Sequence, residues 1–258
     1  MLLLAPCGRS AAINDLPKYV KSKVRLFADD TVIYLAIEST NDCIQLQQDL
    51  LNLEKWESDW KMEFHTSKCN VLHITRKCHP YVHVYKLKGQ VLDPLHSVKY
   101  LQCVYLSNDL HWNKHIKTIS NKANKTLGFL KRNSIHCPPR TKETAYKALV
   151  RPTLEYCSSV WDPHTDKNTN TVEIDQRRAA HWVLNHFDRK DSVTEMLSTL
   201  KLKTLESWRI IACLSILYKM PGGGGYSHTL PIRVCAAQRG RHFKAPDLEW
   251  GIHFRGVF

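Results

Sequence analysis

The sequence contains no long hydrophobic run and no closely spaced cysteine pair. A helix that crosses a bilayer needs about 20 consecutive apolar residues, and no segment of this chain reaches that length. The opening residues MLLL lack a basic start and an adequate apolar core, so they make a poor signal peptide. The nine cysteines include no C-x-x-C pair, which favours reduced thiols over a disulfide framework. We therefore expect a protein that is not secreted, has no membrane partner and resides in the nucleus or the cytoplasm.

Acidic residues are scarce relative to basic ones. The 258 residues include 37 Lys and Arg against 24 Asp and Glu, which gives a formal net charge of +13. The hydrophobic fraction of 43% is ordinary for a globular protein, and the length allows one large domain or two smaller ones. An excess of positive charge of this size favours a polyanionic partner, of which nucleic acid is the commonest.

Two adjacent carboxylates interrupt an apolar, β-prone stretch near the N-terminus, RLFADDTVIY. Residues Val24–Ala28 and Thr31–Ile37 are predicted to form two short strands. Asp29 and Asp30 would then lie in the tight turn between them, because Asp tolerates turn geometry well. Outside any further context, such a pair is an ordinary polar hairpin turn.

A helix and several strands are predicted to follow this hairpin. The helix comes after STND, with Asn41 or Asp42 as its N-cap. Its apolar residues follow helical spacing: Leu46, Leu50, Leu53, Trp56 and Trp60. The segment KCNVLHITR is predicted as a strand, YVHVYKLKGQVLD as a hairpin that turns at Lys88–Gly89, and VKYLQCVYL as one further strand.

The pattern becomes helical beyond Leu110. One face of the first helix in this part is apolar, and its basic residues lie mostly off that face; the apolar positions are Ile116, Ile119, Ala123, Leu127 and Leu130. The segment RTKETAYKALVRPTLEYCSSVW is predicted as a helix that is kinked or broken near Pro152. Two more helices are predicted in TVEIDQRRAAHWVLNHF and TLESWRIIACLSILYKM. No helix or strand is predicted after Pro221, because the four glycines that follow it disfavour helical structure.

Several of these blocks, taken in order, resemble the reverse transcriptases of non-LTR (LINE-type) retrotransposons. They are INDLP, RLFADDTVIY, WKMEFHTSKCNVL, VKYLQCVYLSNDLHWNKHI, KANKTLGFLKRN, YKALVRPTLEYCSSVWDP and QRRAAHWVLN. The resemblance covers residues 13–220 and implies a C-terminal palm and thumb fragment of a right-hand polymerase. The expected fold class is α+β, with a partial palm of antiparallel strands and a helix in residues 13–110. An all-α thumb-like bundle in residues 111–220 would follow, leaving 1–12 as a non-matching N-terminus and 221–258 as a Gly-rich linker and tail of uncertain order.

The resemblance also implies roles for residues of the palm. In the family, the two carboxylates of the hairpin turn hold Mg²⁺, and these match Asp29 and Asp30. Carboxylate oxygens are the ligands that this hard cation prefers. Lys68, in FHTSKC, matches a lysine near the triphosphate of the incoming nucleotide, where it would neutralise or protonate the leaving pyrophosphate. The block KYLQC matches the primer-gripping hairpin through Lys99 and Tyr100, although Gln102 replaces the usual glycine.

The resemblance implies that the helices of the second part lie along the template–primer duplex. The implied partners are an RNA template and an RNA–DNA or DNA duplex, with no small-molecule cofactor. The expected phosphate contacts are Lys114, Lys117, Lys122, Lys125, Lys131 and Arg132. Contacts of this kind supply affinity without sequence information, and they weaken steeply as salt is added. A merely solvated helical face is the alternative interpretation of these residues.

Two parts of the family's palm and fingers have no match in this sequence. The first is a third carboxylate on an earlier strand, for which Asp15 in INDLP is no substitute; the second is the fingers domain. Alignment of the reacting groups accounts for about 7–11 kcal/mol of catalysis in favourable cases. We therefore expect no polymerase activity from this chain alone, and a partner chain could complete the palm.

Two further hypotheses remain open from the sequence. The first is a non-enzymatic nucleic-acid-binding protein that uses the basic helices. The second is a Cys/His metal protein, because His65, Cys69 and His73 are spaced by four residues. The second is disfavoured, since these residues straddle a predicted loop and strand, where such spacing does not bring ligands together.

Overall fold

The computed structural model describes residues 15–27, 30–75, 77–100, 103–186, 192–219 and 250–255. The chain divides into two compact units, the first ending at His111 and the second beginning at Trp112. The first unit also contains the C-terminal strand. Among the described helices, none is long and apolar enough to cross a membrane.

The predicted N-terminal hairpin is present in the first unit. Strand β1 (Lys23–Phe27) pairs in antiparallel fashion with β2 (Asp30–Tyr34), and all five residues of β2 are buried. Phe27 pairs with Asp30, so Asp30 is the first residue of a strand and not a residue of the turn. This corrects the predicted position of Asp30 by one residue, while Asp29 lies outside the described residues.

Helix α1 (Thr40–Trp60) follows the hairpin and packs its apolar face into the core. Its N-cap is Ser39, not Asn41 or Asp42 as predicted. Asp42 instead occupies the third helical position and accepts a 2.8 Å hydrogen bond from the Ser39 backbone N–H, which completes a capping box. The predicted core positions through Trp56 are buried, but Trp60 is 42% exposed because it is the last residue of the helix.

Five strands form the main sheet: β1, β2, β3 (Asn70–Ile74), β6 (Asp93–Leu95) and β9 (Trp250–Arg255), in the spatial order β1-β2-β9-β3-β6. Strand β3 confirms the predicted strand, and β6 pairs parallel to it. The sheet is therefore mixed and not purely antiparallel as expected. Its central strand is β9, which comes from the tail for which no order was predicted.

Two small hairpins complete the first unit. Strands β4 (Lys86–Leu87) and β5 (Gln90–Val91) flank the predicted turn, where Lys88 and Gly89 both have positive φ, 52° and 72°. Positive φ at both central residues is the requirement of a type I′ hairpin turn. The segment predicted as one strand is instead a hairpin of β7 (Ser97–Tyr100) and β8 (Val104–Ser107), closed by a hydrogen bond from the Cys103 N–H to the Tyr100 carbonyl.

The second unit is a helical bundle. Its first helix is α2 (Asn113–Asn133), and the later helices are α5 (Asp166–Leu184), α6 (Val193–Thr199) and α7 (Leu205–Lys219). The predicted apolar face of α2 is buried at four of its five positions, and the fifth, Ile119, is half-buried.

The predicted irregularity near Pro152 is confirmed, and it begins before the proline. Helix α3 (Pro139–Ala145) passes into a π-helical turn (Tyr146–Val150) and then into α4 (Arg151–Glu155). The Arg151 N–H donates to the carbonyl of Tyr146, five residues earlier. Because Pro152 has no N–H and crowds the preceding turn, the chain widens there by one residue.

Candidate nucleic-acid interface and N-terminal hairpin

Helix α2 presents one face that carries only positive charge. Its 21 residues include six Lys and Arg and no Asp or Glu. Four of the cations share an exposed stripe that spans about 80° of the helix at 3.6 residues per turn; they are Lys114, Lys117, Lys125 and Arg132. The opposite face is buried in the bundle. A helix with one buried face and one purely cationic face can track a chain of phosphates.

The two remaining cations of α2 flank this stripe. Lys122 is exposed on one side of it, and Lys131 is half-buried on the other side. Burial lowers the pKa of Lys131, and the nearby positive charge of Arg178 lowers it further. Arg178 belongs to α5, so the positive surface of α2 continues onto a second helix.

One side chain links these two helices. The Asn124 amide on α2 donates a 2.6 Å hydrogen bond to the Asp175 carboxylate on α5, and its carbonyl oxygen accepts from Arg178 at 3.3 Å. Asp175 is 2% exposed, and burial raises its pKa in spite of the hydrogen bonds that it accepts. The arrangement holds the exposed Arg178 guanidinium beside the cationic face of α2.

The start of α2 is fixed by a second set of contacts. His115 is 2% exposed and packs edge-on against Trp161, with 5.0 Å between ring centroids. Burial lowers the pKa of His115 to about 4, so the imidazole is neutral near pH 7. The Asn168 amide of α5 donates to the Asn113 side-chain oxygen at 2.8 Å. These contacts orient the helix so that Lys114 and Lys117 remain exposed.

In the hairpin of β1 and β2, Asp30 is the described member of the predicted carboxylate pair. It is 2% exposed and is paired in register with Phe27 on one side and Arg255 on the other. Within the described part of the chain, no three His, Cys, Asp or Glu side chains are grouped so that they could hold a metal ion. Mg²⁺ takes near-octahedral oxygen coordination, so Asp30 by itself is not a magnesium site. The other predicted ligand, Asp29, lies outside the described residues.

The sheet brings Asp30 and Lys68 to the same end of the first unit. Lys68 closes a 3₁₀ turn (Thr66–Lys68) immediately before β3, is half-buried, and donates its N–H to the His65 carbonyl. Both β2 and β3 run antiparallel to β9, so they are parallel to each other and begin at the same end of the sheet. At about 4.8 Å per strand spacing, the two strands are roughly 10 Å apart.

The predicted primer-grip residues lie elsewhere in the first unit. Lys99 is exposed on β7, whereas Tyr100 is half-buried. Burial raises the pKa of Tyr100, and Tyr34 and Arg25 lie close enough to influence it electrostatically. Tyr34 ends β2, about 14 Å along the strand from Asp30 at about 3.4 Å per residue. The structure therefore places Tyr100 near the opposite end of β2 from Asp30, and Gln102 lies outside the described residues.

The residues of the Cys/His metal-protein hypothesis have packing roles in the structure. Cys69 is 3% exposed, and its thiol donates to the His65 carbonyl at 3.4 Å. Burial, with a contribution from Glu57, raises the pKa of Cys69 to about 12, so the thiol stays protonated and is a poor metal ligand. The His73 ring stacks against Tyr85 with 6.3 Å between centroids.

Comparison with known proteins gives one informative similarity. A probable RNA-directed DNA polymerase from the transposon X-element of Drosophila melanogaster is 24% identical over 173 residues. This similarity supports a reverse-transcriptase-like relationship. The aligned residues are 66% of this chain but only 19% of that protein, so the chain matches about a fifth of the relative's length. No family model and no solved structure matches the chain.

Two features of the structure were not predicted from the sequence. The first is Arg178, which lies on a helix far along the chain from Lys131 and joins it only through the packing of α5 on α2. The motif QRRAAHWVLN marked this arginine as part of a matching block without indicating its neighbour. The second is β9, whose six residues pair with strands about 180 and 220 positions earlier.

Proposed function

We propose that this chain is a palm and thumb portion of a reverse transcriptase of the non-LTR retrotransposon type. Its second unit would bind the template–primer duplex, formed by RNA with DNA or by DNA alone. The similarity to a transposon RNA-directed DNA polymerase supports the class of protein. The cationic face of α2 supports the mode of binding.

The single observation that carries the binding proposal is the distribution of charge on α2. A solvated helix face commonly mixes acidic and basic residues, because opposite charges four residues apart stabilise it. Helix α2 has six cations and no acidic residue, so its own charges repel one another. A polyanion that lies along the stripe relieves this repulsion, and the counterions condensed on the polyanion are released into solution.

The contacts of α2 would be to the phosphate backbone of the nucleic acid and would not depend on its base sequence. Lys114, Lys117, Lys125 and Arg132 reach solvent along a single stripe, where each can meet a phosphate oxygen. Contacts of this type position a protein on a duplex without distinguishing bases. Arg178 adds a guanidinium beside the stripe, and its planar donors suit a phosphate better than an ammonium group does.

In the first unit, we infer that the palm hairpin is the candidate catalytic element. A divalent metal ion, Mg²⁺ in the family, is expected from the relationship, and it would supply charge stabilisation during nucleotide transfer. Asp30 is the described residue whose oxygens could contribute to such a site, together with Asp29 by resemblance. Lys68, at the same end of the sheet, would face the triphosphate.

We further propose that the chain alone binds the duplex without extending a primer. In this proposal, the second unit binds the duplex independently of the chemistry at the hairpin. A partner chain that completes the palm would then be needed for synthesis. Incubation with a primed RNA template, deoxynucleotides and Mg²⁺ tests whether the chain extends the primer, and no extension is expected. Synthesis that disappears in Asp29→Ala would show that the chain is an active polymerase, whereas binding should be the same in that variant and in the wild type.

A charge-reversal experiment tests the binding proposal itself. Anisotropy of a labelled RNA–DNA duplex is measured with the wild type and with the triple variant K114E/K117E/K125E. A control triple, K21E/K55E/K86E, changes the net charge by the same amount at exposed lysines of the first unit. The α2 variant should bind at least about a hundredfold more weakly than the control triple. Equal losses in the two variants would show that only net charge matters and would reject α2 as the interface.

A further inference from the structure

The centre of the main sheet is supplied by the tail of the chain. Strand β9 lies between β2 and β3 and runs antiparallel to both. Strand β2 pairs with β1 and β9, and β3 pairs with β6 and β9, so β9 joins two halves that are not paired with each other. The tail therefore fills a slot one strand wide within the sheet.

The register shows how closely the slot matches one strand. His253 pairs with Val32 on one side and with Asn70 on the other. Arg255 and Phe254 continue the pairing with β2, while Ile252 and Trp250 continue it with β3 across an irregularity. The six residues thus provide three register pairs on each side, regular along β2 and interrupted once along β3, and His253 is paired on both sides.

The chemistry of the slot is that of backbone hydrogen bonding. Buried N–H and C=O groups that lack a partner are costly, so the inner edges of β2 and β3 need a strand between them. All five residues of β2 are buried with β9 in place, so β9 covers this edge of β2 from water. Residues 220–249 separate β9 from α7, so the strand enters the slot from a distant part of the chain.

We propose that the slot between β2 and β3 is a strand-binding site and that residues 250–255 are its intramolecular occupant. Its ligand class is an extended polypeptide strand that runs antiparallel to both neighbours, recognised mainly through the backbone, as in β-augmentation. A peptide with this sequence binds in trans when the chain's own strand is displaced. The proposal does not depend on nucleic-acid binding by the second unit.

The test displaces the strand by a change to its backbone. In a central strand the N–H of His253 must donate to one neighbour or the other, and His253→Pro removes that donor. His253→Ala keeps the N–H and serves as the matched control. A labelled peptide of residues 249–256 is titrated into the full-length wild type and both variants, and its anisotropy is measured. A second peptide that carries the same proline is the ligand control.

The expected result is selective binding. The peptide should bind His253→Pro at least about tenfold more tightly than it binds the wild type or His253→Ala, whose slots are filled, and the proline peptide should bind none of them. Equal binding of the peptide to all three proteins, or no binding to a folded His253→Pro, would overturn the proposal.

Amide hydrogen exchange of the wild type decides the matter even if His253→Pro does not fold. A filled slot protects the amides of residues 31–32, 70–71 and 252–254 together, at least about a hundredfold over unstructured chain. If residues 252–254 exchange at the unstructured rate, the slot is not occupied by the tail and the proposal fails.

Discussion

The side-chain amide of Asn124 on α2 donates a 2.6 Å hydrogen bond to the buried carboxylate of Asp175 on α5. The same Asn124 accepts a hydrogen bond from the exposed Arg178, so one residue joins the core of the bundle to its cationic surface. The orientation of the proposed interface and the stability of the second unit therefore depend on the same contact.

Replacement of Asn124 by Ala should destabilise the second unit. The Asp175 carboxylate would lose its 2.6 Å donor while it remained buried and would keep only longer contacts such as the ion pair with Arg178 at 3.6 Å. Removal of one partner of a buried charged group costs about 1–3 kcal/mol. Urea unfolding followed by circular dichroism should show a loss of that size in the free energy of unfolding. Asn121→Ala, at an exposed position of the same helix, is the control and should change it by less than about 0.5 kcal/mol.

Arg178→Gln should weaken duplex binding without unfolding the protein. If Arg178 contacts one phosphate, its loss reduces the slope of log affinity against log salt by about 1. The measurement is duplex anisotropy at several salt concentrations, with the neighbouring exposed residue changed in Arg177→Gln as the control. A slope that stays the same in Arg178→Gln would remove this residue from the interface.

Protonation of His115 should make the second unit less stable in mild acid. Burial holds its pKa at about 4, below the ordinary 6.5, so between these pH values the unfolded chain binds a proton that the folded chain does not. The free energy of unfolding should therefore fall by about 1–3 kcal/mol as the pH is lowered from 7 to 4.

The variant that tests this pH dependence is His115→Phe, which keeps an aromatic ring but cannot titrate. Its free energy of unfolding, measured in urea at each pH, should fall much less between pH 7 and pH 4 than that of the wild type. The control His136→Phe changes an exposed histidine of the same unit and should leave the decline intact. Titration of the His115 ring by NMR, with an apparent pKa above about 6, would contradict the assignment to burial.

The capping box of α1 should contribute measurably to the first unit. Ser39→Ala removes the hydroxyl that donates to Asp42 at 2.9 Å and should lower the free energy of unfolding by about 1 kcal/mol. Ser58→Ala, at an exposed position later in the same helix, should be neutral because alanine favours the helical state. Equal effects of the two changes in thermal unfolding would mean that the capping box adds no stability.

Local patterns predicted the helical unit well. The apolar spacing of α2 identified its buried face, and Pro152 located the irregular turn, because both effects act within a few residues of the chain. The turn at Lys88–Gly89 was predictable for the same reason, since its geometry depends on two adjacent residues. The cap of α1 was misplaced because Ser39, Asn41 and Asp42 are all residues that favour helix starts.

The sheet and the candidate site were less accessible to sequence reasoning. The place of β9 depends on pairing with β2 and β3, and non-local pairing leaves no trace in the periodicity of six residues. Asp30 begins β2 and Lys68 lies just before β3, so their place at one end of the sheet follows from the same non-local pairing. Arg178 required knowledge of which face of α5 packs on α2.

The salt dependence of duplex binding tests the central claim most directly. The wild type and K114Q/K117Q/K125Q are compared on one RNA–DNA duplex over a range of salt concentrations. If the three lysines each neutralise a phosphate, the variant's slope of log affinity against log salt should be smaller by roughly 2–3, at about 0.7–0.9 per contact. Identical slopes for the two proteins would contradict the assignment of α2 as the nucleic-acid interface.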